Sequence, residues 1–127
     1  MQSLFSLTAG ANVRWHDLPG KGIPVVFIHG LGCASSYEYP RIVADPAFGG
    51  RRAILIDFPG YGFSDKPHDY DYSIAHQAGV VIEVINALML PQCDIYGHSM
   101  GGSIAIKVAA RLRERVGKLV VSEPNFH

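Results

Sequence analysis

Residues 92–102 read Gln-Cys-Asp-Ile-Tyr-Gly-His-Ser-Met-Gly-Gly (QCDIYGHSMGG), and the fold follows from how this stretch divides. Gln92 to Tyr96 is a short apolar run that predicts a central strand. Ser99 to Val116 predicts a helix, with Ala105, Ala109, Leu112 and Val116 recurring on one stripe. Between them lies Gly97-His98-Ser99-Met100-Gly101, a G-x-S-x-G at a strand-to-helix boundary. A serine squeezed into such a turn sits on strained backbone, and glycines two positions to either side let the strand and the helix pass closely. Its hydroxyl is thereby presented above the sheet. The backbone N–H of Met100 opens the helix, lacks a partner within it, and points to the same spot with the positive end of the helix dipole, which makes half an oxyanion hole. The plainer alternative, Ser99 as a mere N-cap, does not need the flanking glycines.

Outward from this centre, Ile23 to Ile28 (IPVVFI) and Arg52 to Ile56 (RAILI) are continuous apolar runs, the pattern of strands buried on both faces. Ser73 is a plausible N-cap for a helix whose apolar residues Ala78, Val81, Ile85 and Leu88 recur at steps of three and four and which ends before Pro91. Tyr37 to Ala44 is a further short helix, and Leu119 to Val121 a last strand. Leu4 to Leu7 and Asn12 to His16 read as an initial hairpin around Ala9-Gly10-Ala11, with Leu18 to Gly22 as the turn leading out. Strands alternating with helices of this length form right-handed βαβ units. The expected class is therefore α/β, a mostly parallel sheet of about six strands with helices on both faces and its site at the carboxyl ends of the strands.

Two other strand ends are unusual. His29-Gly30-Leu31-Gly32 follows the first buried strand, and its glycines let the backbone turn and expose N–H groups; Leu31 is the expected second oxyanion donor. His29 is read as orienting this loop. Asp57-Phe58-Pro59-Gly60-Tyr61-Gly62-Phe63-Ser64 follows the second, where Pro and Gly set a tight turn and Asp57 bonds nearby backbone in a structural role. The loop extends to Asp71.

Composition narrows the function classes. A hydrophobic share of 48% and a charged share of 17% over 127 residues describe one globular unit with a real core. Eleven basic residues balance eleven acidic ones without long blocks, so neither nucleic acid nor an anionic membrane is an expected partner. Arg111, Arg113, Arg115 and Lys118 read as a solvated helix end. Cys33 and Cys93 have no metal-ligand spacing, so a reduced, buried pair of thiols is expected, with neither metal nor cofactor. The start of the chain, MQSLFSLTAGANVRW, has no basic stretch and no apolar core of signal-peptide type, which makes a cytoplasmic location the expectation.

Taken together, HGLG, DFPGYGFS and GHSMG, in this order and at these spacings, resemble the α/β-hydrolase superfamily over essentially all 127 residues. The resemblance implies that Ser99 is a nucleophile, that the Leu31 and Met100 N–H groups form the oxyanion hole, and that a histidine and an acid complete a triad. With serine rather than aspartate at the nucleophile position, it points to esterases, C–C bond hydrolases and related serine enzymes, less to haloalkane dehalogenases and epoxide hydrolases. Family members run to about twice this length, with a cap inserted after the sixth strand, the acid usually after the seventh and the histidine after the eighth. Residues 1–127 thus correspond to the N-terminal part of a single domain, without the cap and the C-terminal part. Glu123 is the candidate acid within the chain, since a minority of the family places its acid after the sixth strand. None of His16, His68, His76, His98 or His127 occupies a promising position for the base.

The expected function is a serine hydrolase acting on an ester, thioester, amide or activated C–C bond of a small acyl substrate through an acyl-enzyme on Ser99. The alternative is a catalytically incomplete half that serves as a subunit or interaction module, its last strand paired by the missing C-terminal half or by another chain. Tyr37, Tyr39, Phe58 and Phe63 are read as core packing or as the walls of an apolar pocket.

Overall fold

The computed structural model describes residues 2–28, 50–57, 73–98 and 100–122. These form six strands, β1 (Gln2–Ser6), β2 (Ala11–Leu18), β3 (Lys21–Ile28), β4 (Arg51–Asp57), β5 (Cys93–His98) and β6 (Val116–Ser122), and two helices, α1 (Ile74–Ala87) and α2 (Met100–Leu112). The sheet order is β1-β2-β4-β3-β5-β6. β1 pairs antiparallel with β2 and β2 antiparallel with β4, while β4, β3, β5 and β6 run parallel. The order reverses between β4 and β3, as expected of a sheet whose parallel strands are joined by crossovers.

Alternation along the strands builds two cores. Val13, Trp15, Val26, Ile28, Ile54, Ile56 and Ile95 point to one face, where Ala78, Val81, Ile85 and Ile104 of the helices cover them. Val25, Phe27, Ala53 and Leu55 point to the other, joined by Leu18 and Tyr96. Both described helices lie on the first face; the helix expected over Tyr37–Ala44 and the loop Phe58–Asp71 fall outside the described residues. On the second face Val25, Phe27, Tyr96 and Val120 line an open groove of about 190 Å³.

The initial hairpin forms as expected, and every amide of its turn is satisfied. Gly10, at φ +66°, donates to the Ser6 carbonyl, and Ala9 N–H to the Ser6 hydroxyl. The Leu7 and Thr8 N–H groups reach the Glu83 carboxylate of α1 at 3.0 and 2.8 Å. One anion thus closes a turn that would otherwise leave two donors to solvent. Leu7, read from its apolar character as strand, belongs to this turn and is exposed.

α1 follows its periodicity. Ser73 caps it through a bond from His76 N–H, and Ala78, Val81 and Ile85 are fully buried. α2 does not follow the expected span. It stops at Leu112, Arg113 takes φ +53° and a 3-10 turn occupies Arg113–Arg115. Val116 then opens β6 and pairs with Cys93 instead of extending the helical stripe. The four-residue step from Leu112 to Val116 fits a helix and fits this break equally well, and strand pairing decides between them. Arg115 is likewise more than a solvated cation, since it donates to Asn86 Oδ1 (3.0 Å) and to the Leu90 carbonyl (2.9 Å), tying the end of α2 to the turn after α1. No helix among the described residues is long and apolar enough to cross a membrane.

Cys93 is a free, buried thiol; Cys33 falls outside the described residues. Burial first, then the nearby Asp94 charge, opposed by Arg115, pushes the Cys93 thiol from the ordinary 9.0 up to about 11. A folded-state value above the unfolded one means that the unfolded chain releases its proton first as pH rises, so this contribution to stability is complete below about pH 9 and is lost towards pH 11. Urea denaturation across this window should show a steeper loss of stability for the parent than for Cys93→Ala.

Candidate active site

β5 ends at His98 and α2 begins at Met100, so Ser99 is the one residue of the sequence between strand and helix. Ser99, Leu31 and Glu123 lie outside the described residues, and Met100 is the first residue of α2. The glycines around them explain the abruptness of the passage. A Cβ built on Gly97 would stand 2.7 Å from the Gly101 carbonyl carbon and 2.9 Å from Ala105 Cβ. Real Cβ atoms do not tolerate such contacts, so the end of β5 and the first turn of α2 approach as closely as bare backbone allows. Gly101, Gly102 and Ser103 are all buried.

The strands that lead to the candidate residues share one end of the sheet. β3 and β5 are neighbours in register, Ile28 beside Gly97, so the segments that continue into Leu31 and into Ser99 depart from adjacent strand ends. β6 lies on the other side of β5 with Ser122 opposite His98, and Glu123 is the next residue in sequence. Asp57, at the end of β4, is fully buried. In a parallel sheet this carboxyl end is where crossovers leave room for a ligand.

Three histidines lie on described elements: His98 ends β5 beside Ser122, and the other two stand apart from that strand end. His16 is on β2 opposite Leu55, three strands from β5, a separation of about 14 Å at the usual inter-strand spacing. His76 is exposed in the first turn of α1, with Nδ1 3.1 Å from the Ser73 hydroxyl. His29, His68 and His127 lie outside the described residues.

Sequence reading passed over Asp94, a carboxylate in the middle of an apolar strand. It is buried, 2.6 Å from Arg51 Nη2, and its Oδ1 accepts the Lys118 N–H at 2.7 Å. A charged residue within the otherwise apolar run CDIY was the available signal.

The family model for the alpha/beta hydrolase fold matches residues 23–127. The chain belongs to the α/β-hydrolase family. It is 39% identical over 115 residues to a 2-hydroxymuconate semialdehyde hydrolase of Pseudomonas putida, an alignment that takes in 91% of this chain and 41% of that protein. Among solved structures it superposes on the meta-cleavage product hydrolase of Pseudomonas fluorescens IP01 with a TM-score of 0.80 at 33% identity, covering 94% of this chain and 43% of the other. The esterase of Exiguobacterium antarcticum gives a TM-score of 0.80 at 31% identity, covering 96% and 44%. The chain therefore spans about two fifths of the length of the relatives it matches. The six-stranded, mostly parallel sheet is a partial, N-terminal α/β-hydrolase fold.

Because a Cβ at Gly97 would overlap the Gly101 backbone, Gly97→Ala must push α2 away from β5. An overpacking loss of about 1–3 kcal/mol is expected, measurable as a lower urea midpoint with an unchanged slope.

Proposed function

We propose that the protein is a serine hydrolase that forms an acyl-enzyme on Ser99, with the Leu31 and Met100 N–H groups holding the oxyanion. The observation that carries this reading is the passage from β5 to α2 across one residue, with Gly97 packed against Gly101. A plain N-cap serine does not need such an approach. A general base would take the Ser99 proton, the alkoxide would add to a carbonyl carbon, and the oxygen of the tetrahedral adduct would accept the two N–H bonds. Collapse would expel the leaving group, and water would then release the acyl group from Ser99. One oxyanion donor of this kind contributes about 3–4 kcal/mol to transition-state stabilisation. The substrates in view are small molecules with an ester, thioester, amide or activated C–C bond. The 39% identical relative, named a 2-hydroxymuconate semialdehyde hydrolase, favours the last, and the 31% identical esterase keeps the first open.

A fluorophosphonate probe should label Ser99 in the protein as encoded, and Ser99→Ala should abolish labelling and hydrolysis together, a fall of several orders of magnitude. Labelling of a different serine would overturn the assignment.

A second reading concerns residues 1–127 standing alone. Of the described histidines, His16 is on β2 and His76 on α1, while His98, which ends β5, immediately precedes Ser99 in sequence; β6 pairs only with β5 among the described residues, leaving Leu119 and Val120 exposed. Such an edge calls for a neighbouring strand. On this reading residues 1–127 are not self-sufficient in catalysis, Glu123 is at most the acid of the triad, and a further segment or second polypeptide pairs with β6 and supplies the base. Expressed alone, residues 1–127 should fail to turn over p-nitrophenyl esters and should associate in solution. A monodisperse monomer with turnover that depends on Ser99 would contradict both statements.

A further inference from the structure

The carboxylate of Asp94 holds four strands at once. Its Oδ2 lies 2.6 Å from Arg51 Nη2 of β4, and the same guanidinium donates from Nε and Nη2 to the Ile23 carbonyl of β3, at 3.1 and 2.7 Å. Its Oδ1 accepts the Lys118 N–H of β6. These bonds fall where the ladders are irregular. β3 and β4 shift register between Lys21 and Val25, and β5 and β6 between Cys93 and Ile95. A bulge interrupts regular backbone bonding and weakens the definition of register. Here side-chain groups serve the Ile23 carbonyl and the Lys118 N–H inside the irregular stretches. Gly117 completes the device, since a Cβ there would lie 2.7 Å from Asp94 Oδ1; the carboxylate occupies the room a side chain would need.

Asp94 is on β5, the strand that leads to Ser99, and lies five positions before it in sequence. We propose that Asp94 is a positioning residue: by locking β5 against β4, β3 and β6 at the amino ends of the strands, it sets the height at which β5 delivers Ser99 beside the segment leaving β3. The catalytic consequence rests on the nucleophile reading of Ser99. The lock itself does not.

The sheet contains its own control. Arg52 and Asp17 form an ion pair of the same 2.6 Å length and similar exposure, but it joins β2 to β4, neither of which leads to Ser99 or Leu31. In the protein as encoded, Asp94→Asn and Asp17→Asn are compared by thermal midpoint, by the rate constant of fluorophosphonate labelling well below either midpoint, and by amide hydrogen exchange. Both variants should lose some thermal stability. Asp94→Asn should label Ser99 roughly ten- to a hundredfold more slowly, the scale of a displacement of about 1 Å at a reacting group, and should exchange faster in β5 and β6. Asp17→Asn should label at the parental rate. Equal labelling by the two variants, or unchanged exchange in β5 and β6 for Asp94→Asn, would overturn the proposal. Failure of the parent itself to label at Ser99 would remove the nucleophile reading and with it the catalytic role of Asp94, leaving exchange to decide the lock alone.

Discussion

The constraint on which the strand-to-helix passage depends is the contact of backbone with backbone at Gly97 and Gly101. α2 packs on β5, β6 and β3, and it starts one residue after Ser99, so strand and helix must cross before either has room for side chains. From that crossing follow the small residues Gly101 and Ala105, one turn apart on the side of α2 that meets Gly97, and the adjoining Gly102 and Ser103 are buried as well. The direction in which α2 runs back along the sheet, and the place where its far end can turn into β6, follow as well. Dispersion and apolar burial can act at such short range because the interior is packed at crystal-like density.

Around this crossing, charged side chains do work that the backbone leaves undone. Glu83 takes two N–H groups of the hairpin turn, Arg115 takes the Leu90 carbonyl, and Asp94 with Arg51 spans two ladder irregularities. Each joins elements distant in sequence, and each is directed at backbone groups that secondary structure does not satisfy. Breaking the Asp94 or Arg115 contacts would leave part-buried polar groups without these partners, the costlier side of hydrogen-bond energetics, whereas the two N–H groups held by Glu83 would turn to solvent. Arg52 and Asp17 join β2 to β4 side chain to side chain, with a two-point fork.

What the described residues show of the candidate site is the set of strand ends that lead to it. β3, β5 and β6 are contiguous and parallel, so the segments holding Leu31, Ser99 and Glu123 set out from one edge although they are far apart in sequence. Parallel pairing imposes this convergence, because each crossover returns the chain to the same end of the sheet.

The order of elements, the two buried strands, the α1 stripe with its Ser73 cap and the G-x-S-x-G boundary were all legible in the sequence, because each rests on local periodicity or on glycine placement within a few residues. The family resemblance rests on the same local motifs. What only the tertiary structure decided were features that depend on pairing between distant segments. The helix read as running to Val116 ends at Leu112 because Val116 is claimed by Cys93 across the sheet, and periodicity alone cannot distinguish a fourth helical step from the first residue of a strand. Leu7 leaves its strand because Glu83, 76 positions away in sequence, binds its amide. Asp94 went unremarked inside a run read as apolar, and its contacts with Arg51 and the Lys118 N–H exist only once β4 and β6 are beside it. Local sequence encodes which conformations are affordable; the ladder bonds and ion pairs that choose among them form only after the strands have met.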